Sequence, residues 1–326
     1  MRCGVIVLWA SGLGSMAACQ LVADIQDIQL TSSTSSGSVC DIPAGGNLLF
    51  EELFEDVDFA SRGWYDGPAG VLSSEAAPGS TQSFQCDVAP GVDICAGGRP
   101  ARRLFTPTSS IYLGFWLRLS DNWQGGIDVF TLLTNLEDDF KGPGRTKLTT
   151  SAAVENGTAS LVLHDGENVD PNCVMLTDGS IVGCNGDFDS YAFTEQRSVA
   201  SCNGLFGDVE DHECSSQDQI EWWSSRAWHG ETLSDSAGPS YKADWHFVEL
   251  YYEMNGFEND RGVANGKIRW LVDGVPIICS DSILFRTAVH SDMQFAQLLA
   301  SMFTSGGTAE PQTMWIDDLR VATARP

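Results

Sequence analysis

An all-β chain, folded as a sandwich or jelly roll of antiparallel strands, is what the sequence predicts, and three observations carry that prediction. Short runs of alternating apolar and polar residues recur at a spacing of about 8–12 residues, with turn signals between them. Glycine is abundant, at 33 of 326 residues, which suits a turn-rich β protein. No stretch sustains the periodicity of an amphipathic helix, and there is no internal repeat.

The chain begins M-R-C-G-V-I-V-L-W-A-S-G-L-G-S-M-A-A-C: one positive charge, a short apolar run, then small residues before a cysteine. This is the pattern of a secretory signal, too short to span a bilayer. Met16-Ala17-Ala18-Cys19 resembles the bacterial lipobox, in which the cysteine becomes the lipidated first residue; ordinary cleavage near Ala18 is the alternative. The expectation is a signal peptide over 1–18 and a flexible Ser/Thr-rich tether over 19–47. One domain over 48–326 follows. The protein is then exported, as an outer-membrane lipoprotein or an extracellular protein, and meets a membrane only through its lipid anchor.

Strands are expected within 80–88 and 101–105, and then over I-Y-L-G-F-W-L-R-L-S at 111–120. There Ile111, Leu113, Phe115, Leu117 and Leu119 form one face, and Tyr112, Trp116 and Arg118 the other. Further strands follow at about 128–134, 146–154 and 158–164. Residues 165–244 read as a long, irregular, disulfide-rich insertion containing Trp222, Trp223 and Trp228; loops of that length are usually functional. W-H-F-V-E-L-Y-Y-E-M-N then alternates, with Val248, Leu250, Tyr252 and Met254 on one side and Phe247, Glu249, Tyr251 and Glu253 on the other. K-I-R-W-L-V repeats the pattern, and Asp273-Gly274 signals a two-residue hairpin into Val275–Cys279. Strands over 282–289 and 293–302 and a closing W-I-D-D-L-R-V-A-T complete the chain.

Composition limits the function classes. The chain has 18 Lys+Arg against 44 Asp+Glu, a formal net charge of −26, which excludes nucleic acid as a partner because phosphate contacts need clustered basic residues. Ten cysteines in an exported chain read as disulfides once Cys3 and Cys19 are set aside. The remaining eight allow many pairings; local loops favour Cys86–Cys95, Cys173–Cys184 and Cys202–Cys214, with Cys40–Cys279 by elimination. No Cys or His spacing supports zinc.

The order W-H-F-V-E, G-K-I-R-W-L-V-D-G, L-F-R-T and T-M-W-I-D-D-L-R-V resembles the second half of concanavalin A-like jelly rolls. It is most similar to polysaccharide lyases of the alginate and glucuronan lyase type and to related exported bacterial proteins. F-E-D and R-G-W-Y-D near the start fit the same group. The resemblance implies two packed antiparallel sheets, one of them lining a groove for a polysaccharide; a monomer is expected. The Q-[IV]-H and Y-x-K-x-G-x-Y-x-Q motifs of one such lyase group are absent, so its catalytic residues do not carry over. The paired-carboxylate strand motif of a glucanase is absent too.

β-Elimination at a uronate needs a cation or amide on the carboxylate, a base for the ring proton and an acid for the leaving oxygen. His164, Tyr251 and Arg269 are the candidates for these roles. Arg118, Lys147 and Arg286 are further cations for the substrate. Tyr112, Trp116 and Trp245 are candidate platforms for sugar rings, with Glu249 on the same face. Each also reads as an ordinary strand-face residue, and a site requires their convergence. The resemblance places Glu55, Asp56 and Asp318 for a structural calcium ion, the one cofactor expected. The function expected is cleavage of a uronate-containing polysaccharide, with a non-catalytic lectin or adhesin using the same groove as the alternative.

Overall fold

The computed structural model describes residues 40–134, 147–155, 158–166, 174–175, 181–182, 212–217, 221–286, 291–304 and 309–326, with side chains at 147, 153–227 and 231 excepted. The signal segment, Cys19, residues 20–39 and Cys173, Cys184 and Cys202 lie outside the described residues, as does the side chain of Cys214.

In chain order the strands are β1 (Leu48–Glu52), β2 (Trp64–Tyr65), β3 (Val71–Ser73), β4 (Ser83–Val88), β5 (Arg102–Thr108), β6 (Ser110–Leu119) and β7 (Ile127–Leu133). They continue with β8 (Lys147–Glu155), β9 (Thr158–Gly166), β10 (Val174–Met175), β11 (Ile181–Val182), β12 (His212–Gln217) and β13 (Glu221–Leu233). The last are β14 (His246–Glu253), β15 (Phe257–Glu258), β16 (Arg261–Gly262), β17 (Gly266–Val272), β18 (Val275–Ile283), β19 (Phe295–Phe303) and β20 (Gln312–Ala322). One sheet has the order β18, β17, β14, β6, β20, β4, β3, with β1 also on β20; the other has the order β12, β13, β9, β8, β7, β19, β5, β2. Every strand pairing within them is antiparallel. The fold is therefore the all-β jelly-roll sandwich of two antiparallel sheets expected.

The alternation of apolar residues places the core between the sheets. Ile111, Leu113, Phe115, Leu117 and Leu119 of β6 and Val248, Leu250 and Tyr252 of β14 all join it. So do Ile268 and Trp270 of β17, and Leu132, Leu148 and Leu298 from the other sheet. Rings cross the gap: Phe115 meets Phe130 edge-on at 5.0 Å, and Tyr252 meets Phe295 at 6.1 Å. Each fully buried large side chain of this kind contributes about 1.5–3 kcal/mol over leaving it in water. At the hairpin, Asp273 and Gly274 both take positive φ (49° and 76°), as a two-residue turn matching the twist of its strands requires.

Three expectations about extent are corrected. Residues 212–217 and 221–233 of the supposed irregular insertion are sheet: β13 pairs with both β9 and β12. The strand expected over 282–289 ends at Ile283, where β18 stops, and residues 284–286 are irregular. Residues 40–47, expected to be tether, are docked. Cys40 is bonded to Cys279 of β18, Ala44 bridges to Arg325 in parallel, and Ile42 is buried. Cys86–Cys95 also forms, joining β4 to the loop after it.

Candidate functional site

Alternation fixes what each sheet shows on the side away from the core. On the first sheet those positions hold Tyr112, Trp116 and Arg118 of β6, Glu249 and Tyr251 of β14, and Arg269 and Leu271 of β17. Register brings them together, with Tyr251 opposite both Tyr112 and Arg269. The expected cluster is thus real, but the chain covers it with itself. Ile42 packs with Tyr112, Tyr251, Leu271 and Ala322 in a second apolar cluster. The Glu249 carboxylate accepts from the Tyr112 hydroxyl at 3.0 Å and from Arg325 Nε and Nη2 at 2.8 and 3.0 Å. Burial first, then Glu249, pushes the Tyr112 phenol up.

The remaining cations of that cluster are committed elsewhere. Arg269 is 3% exposed; it donates to the carbonyls of Ile268 (2.9 Å) and Ser280 (2.8 Å) and pairs with Asp281. Arg118 donates to Ala243 O at 2.6 Å and to Glu75 Oε2 at 2.7 Å, and lies over Trp315 at 5.1 Å. Trp116 is half-buried against Phe247, ring centroids 5.3 Å apart. Trp245 is half-buried just before β14. Arg269 is buried and ion-paired, Arg118 is partly exposed but paired with Glu75, and Tyr112 and Tyr251 lie under the Ile42 strap. The expected open groove is therefore closed over Tyr112, Tyr251 and Arg269.

His164 is not with them. It stands in β9 of the other sheet, in register with Thr149 of β8 and Ala227 of β13. The three catalytic candidates are therefore split between two sheets, and His164 does not converge with Tyr251 and Arg269. The core separates the two sheets.

Of the positions on the second sheet's outer face, the sequence reading named Lys147 and His164 and missed the rest. The register of that sheet forms a row across seven strands: Tyr65, Arg102, Leu299, Thr131, Thr149, His164 and Ala227. A parallel row holds Leu104, Gln297, Leu133 and Lys147. Thr131 Oγ1 bonds to Thr149 Oγ1 at 3.0 Å and to Ser301 Oγ at 2.5 Å, and Ser151 Oγ donates to Asp128 Oδ1 at 2.6 Å. Arg102 Nε lies 3.1 Å from the Asp66 carboxylate. Thr131, Thr149 and Gln297 are buried, whereas Leu104 and His229 at the margins are exposed. The signal that finds this face is a polar residue at every second position of β8 (Lys147, Thr149, Ser151), with Gln297 and Ser301 four apart in the otherwise apolar β19.

The acids expected to hold calcium take separate partners. Glu55 accepts from the Thr81 hydroxyl and from its N–H at 3.1 Å. Asp56 pairs with Arg62 at 2.5 Å, and Asp318 with Arg320 at 3.2 Å. Among the described residues no three His, Cys, Asp or Glu side chains group as a metal site.

Two further concavities are lined by described residues, the second of them at the end of the first sheet's outer face, beside Tyr251. One, of about 270 Å³, is lined by Thr232, Ser240, His246, Asp273 and Ile277. His246 is fixed there, Nδ1 2.7 Å from Asp273 Oδ2 and Nε2 2.8 Å from Tyr241 O. The other, of about 660 Å³, is lined by Tyr251, Glu253, Asn255, Lys267 and Arg286.

No family of known proteins matches this sequence, and neither does any curated protein. Among solved structures, the chain is similar to a mutant of alginate lyase Aly36B in complex with alginate tetrasaccharide, at 13% identity over 86% of this chain and 96% of that one, TM-score 0.46. It is similar to alginate lyase vAL-1 from Chlorella virus, at 10% identity over 85% of this chain and 100% of that one, TM-score 0.47. It is also similar to the botulinum neurotoxin serotype C1 binding domain, at 10% identity over 79% and 43%, TM-score 0.39.

Proposed function

We propose that the chain is an exported polysaccharide-binding jelly roll that holds a uronate-containing polymer along the outer face of the second sheet. The observation that carries this reading is the register row from Tyr65 to Ala227, flanked by Gln297. Strands lie about 4.8 Å apart, so seven of them place that row over ~29 Å, the length of several linked sugars. Hydroxyls, a side-chain amide and a guanidinium are the groups that recognise sugar hydroxyls and carboxylates.

The same spacing decides between binding and catalysis. Arg102 in β5 and His164 in β9 are four strand intervals apart, ~19 Å, so they do not reach one sugar ring together. Elimination at a single residue needs its groups within hydrogen-bond reach. Recognition of successive residues along a chain does not. A second reading, β-elimination, is favoured by the placement of Lys147 and His164 in neighbouring strands, a cation beside a base.

The test is retention of the full chain on immobilised alginate or glucuronan against a neutral glucan. The reading expects selective retention on the uronans, weakened about tenfold by Gln297→Ala or Arg102→Ala. Passage without retention contradicts it. Growth of the ultraviolet absorbance of unsaturated uronates in the same mixtures, abolished by His164→Ala, decides for the lyase.

A further inference from the structure

The larger of the two concavities has a charge arrangement that the second-sheet reading does not use. Its volume of about 660 Å³ falls within the ~300–1,000 Å³ range of small-molecule sites. Ser110, Tyr251, Glu253, Asn265, Lys267 and Arg286 are on its wall.

Glu253 is already neutralised. It accepts from the Tyr251 hydroxyl at 2.7 Å and from Lys267 Nζ at 3.0 and 3.1 Å. Arg286 is in the opposite condition. Its Nε donates to Asn255 O at 3.2 Å and its Nη1 to Met293 O at 2.8 Å, and it stacks over Phe257 at 5.1 Å. These partners are carbonyls and a ring, and none cancels the charge. Among the described residues no carboxylate lies within ion-pairing distance of it. In a chain with 44 acids for 18 bases, a guanidinium left without one runs against composition. Burial pulls this guanidinium down, and Asp292 only partly offsets it.

The wall is also built to hold that guanidinium still. Asn255 is fully buried, and its side-chain oxygen accepts from the N–H groups of Phe285 and Arg286, both at 2.9 Å. Its amide nitrogen donates to Arg286 O at 3.0 Å and Gly256 O at 3.1 Å, while Asn265 Oδ1 takes the Gly256 N–H at 2.8 Å. One side chain thus locks both sides of the Arg286 peptide, so little ordering is left to be done when a ligand arrives.

We propose that this cavity is a second saccharide site, taking one carboxylate-bearing sugar unit with its carboxylate on Arg286. Its ring hydroxyls meet Ser110, Asn265 and Lys267. The site does not depend on the second-sheet reading, since no residue is shared between them.

Calorimetric titration of the full chain with glucuronate, glucose and acetate tests it. Glucuronate should bind, glucose should bind at least about tenfold more weakly for lack of the charge, and acetate more weakly for lack of the hydroxyls. Glucose binding as tightly as glucuronate overturns the role of Arg286. Acetate binding as tightly overturns recognition of the sugar. Arg286→Gln should lower glucuronate affinity at least about tenfold, and Lys267→Met severalfold without touching the Asn255 lock. Unchanged affinity in both variants refutes the site. Retention of Arg286→Gln on the uronan column, measured separately, reports on the second sheet alone.

Discussion

The first sheet turns large amphipathic side chains outward, Tyr112, Tyr251, Glu249 and Arg269, and the chain folds its own residues 40–47 and 322–325 across them. The second sheet turns out hydroxyls and an amide, Thr131, Thr149, Ser301 and Gln297, in continuous rows across strands far apart in sequence. Both faces come from the same alternation, yet the chain straps the first over Tyr112 and Tyr251, while the second carries rows of hydroxyls. The difference teaches that rings and charges on a strand's outer face do not by themselves mark a binding surface. They offer more apolar area than hydroxyls do, so covering them with a nearby segment stabilises the fold more.

The largest effect expected from this contrast is loss of the strap's covalent tie. Cys40 and Cys279 are 239 residues apart in sequence, and a bridge closing so long a loop restricts the unfolded chain strongly. Changing both to Ser should cost about 2–5 kcal/mol in denaturant unfolding, and expose Tyr112 and Tyr251 to quenchers of tyrosine fluorescence. A double variant as stable as the parent breaks the comparison.

Ile42→Ala comes next. It empties the strap's plug between Tyr112, Tyr251 and Leu271, with an expected loss of about 2–4 kcal/mol. A loss well under this range would mean the strap rests on the sheet without packing into it. On the second sheet, Thr131→Val leaves Thr149 and Ser301 without their shared partner, at about 1–2 kcal/mol. It should also weaken retention on uronans, whereas Ile42→Ala should not. If both variants lose retention alike, the two faces are not functionally distinct.

The smallest effect is a pH dependence at Glu55. Hydrogen bonds from the Thr81 hydroxyl, then from its N–H, hold this carboxyl below its ordinary 4.5. A lowered folded-state value means the carboxylate's contribution is complete above 4.5 and is lost as pH falls through the folded value. Melting curves of the parent and Glu55→Gln should therefore differ at neutral pH and converge in acid. A gap that persists unchanged through the acid range contradicts the assignment.

Much of the fold was legible because it is local. The alternation of Ile111–Leu119 and Val248–Met254 and the Asp273-Gly274 turn each specify their own strands and hairpin. The loop closed by Cys86–Cys95 was legible for the same reason. The candidate site was not, because it depends on pairings between distant segments. Nothing within W-H-F-V-E-L-Y-Y-E says that Ile42 will cover Tyr251. Nor does L-V-L-H reveal that His164 belongs to the other sheet from Arg269. A single Gln or Thr in an apolar strand is also a weak signal alone, and it gains meaning only when register sets Gln297 and Thr131 in adjacent rows.

The central claim is that a uronan lies along the second sheet and leaves the strapped centre of the first sheet untouched. Hydrogen exchange of the full chain, with and without an alginate oligosaccharide, tests it most directly. The account predicts added protection in β7, β8 and β19, and none in β6, β14 and β17 beyond the cavity residues Ser110, Tyr251, Glu253 and Lys267. Protection confined to β6, β14 and β17, or in neither group, would contradict it.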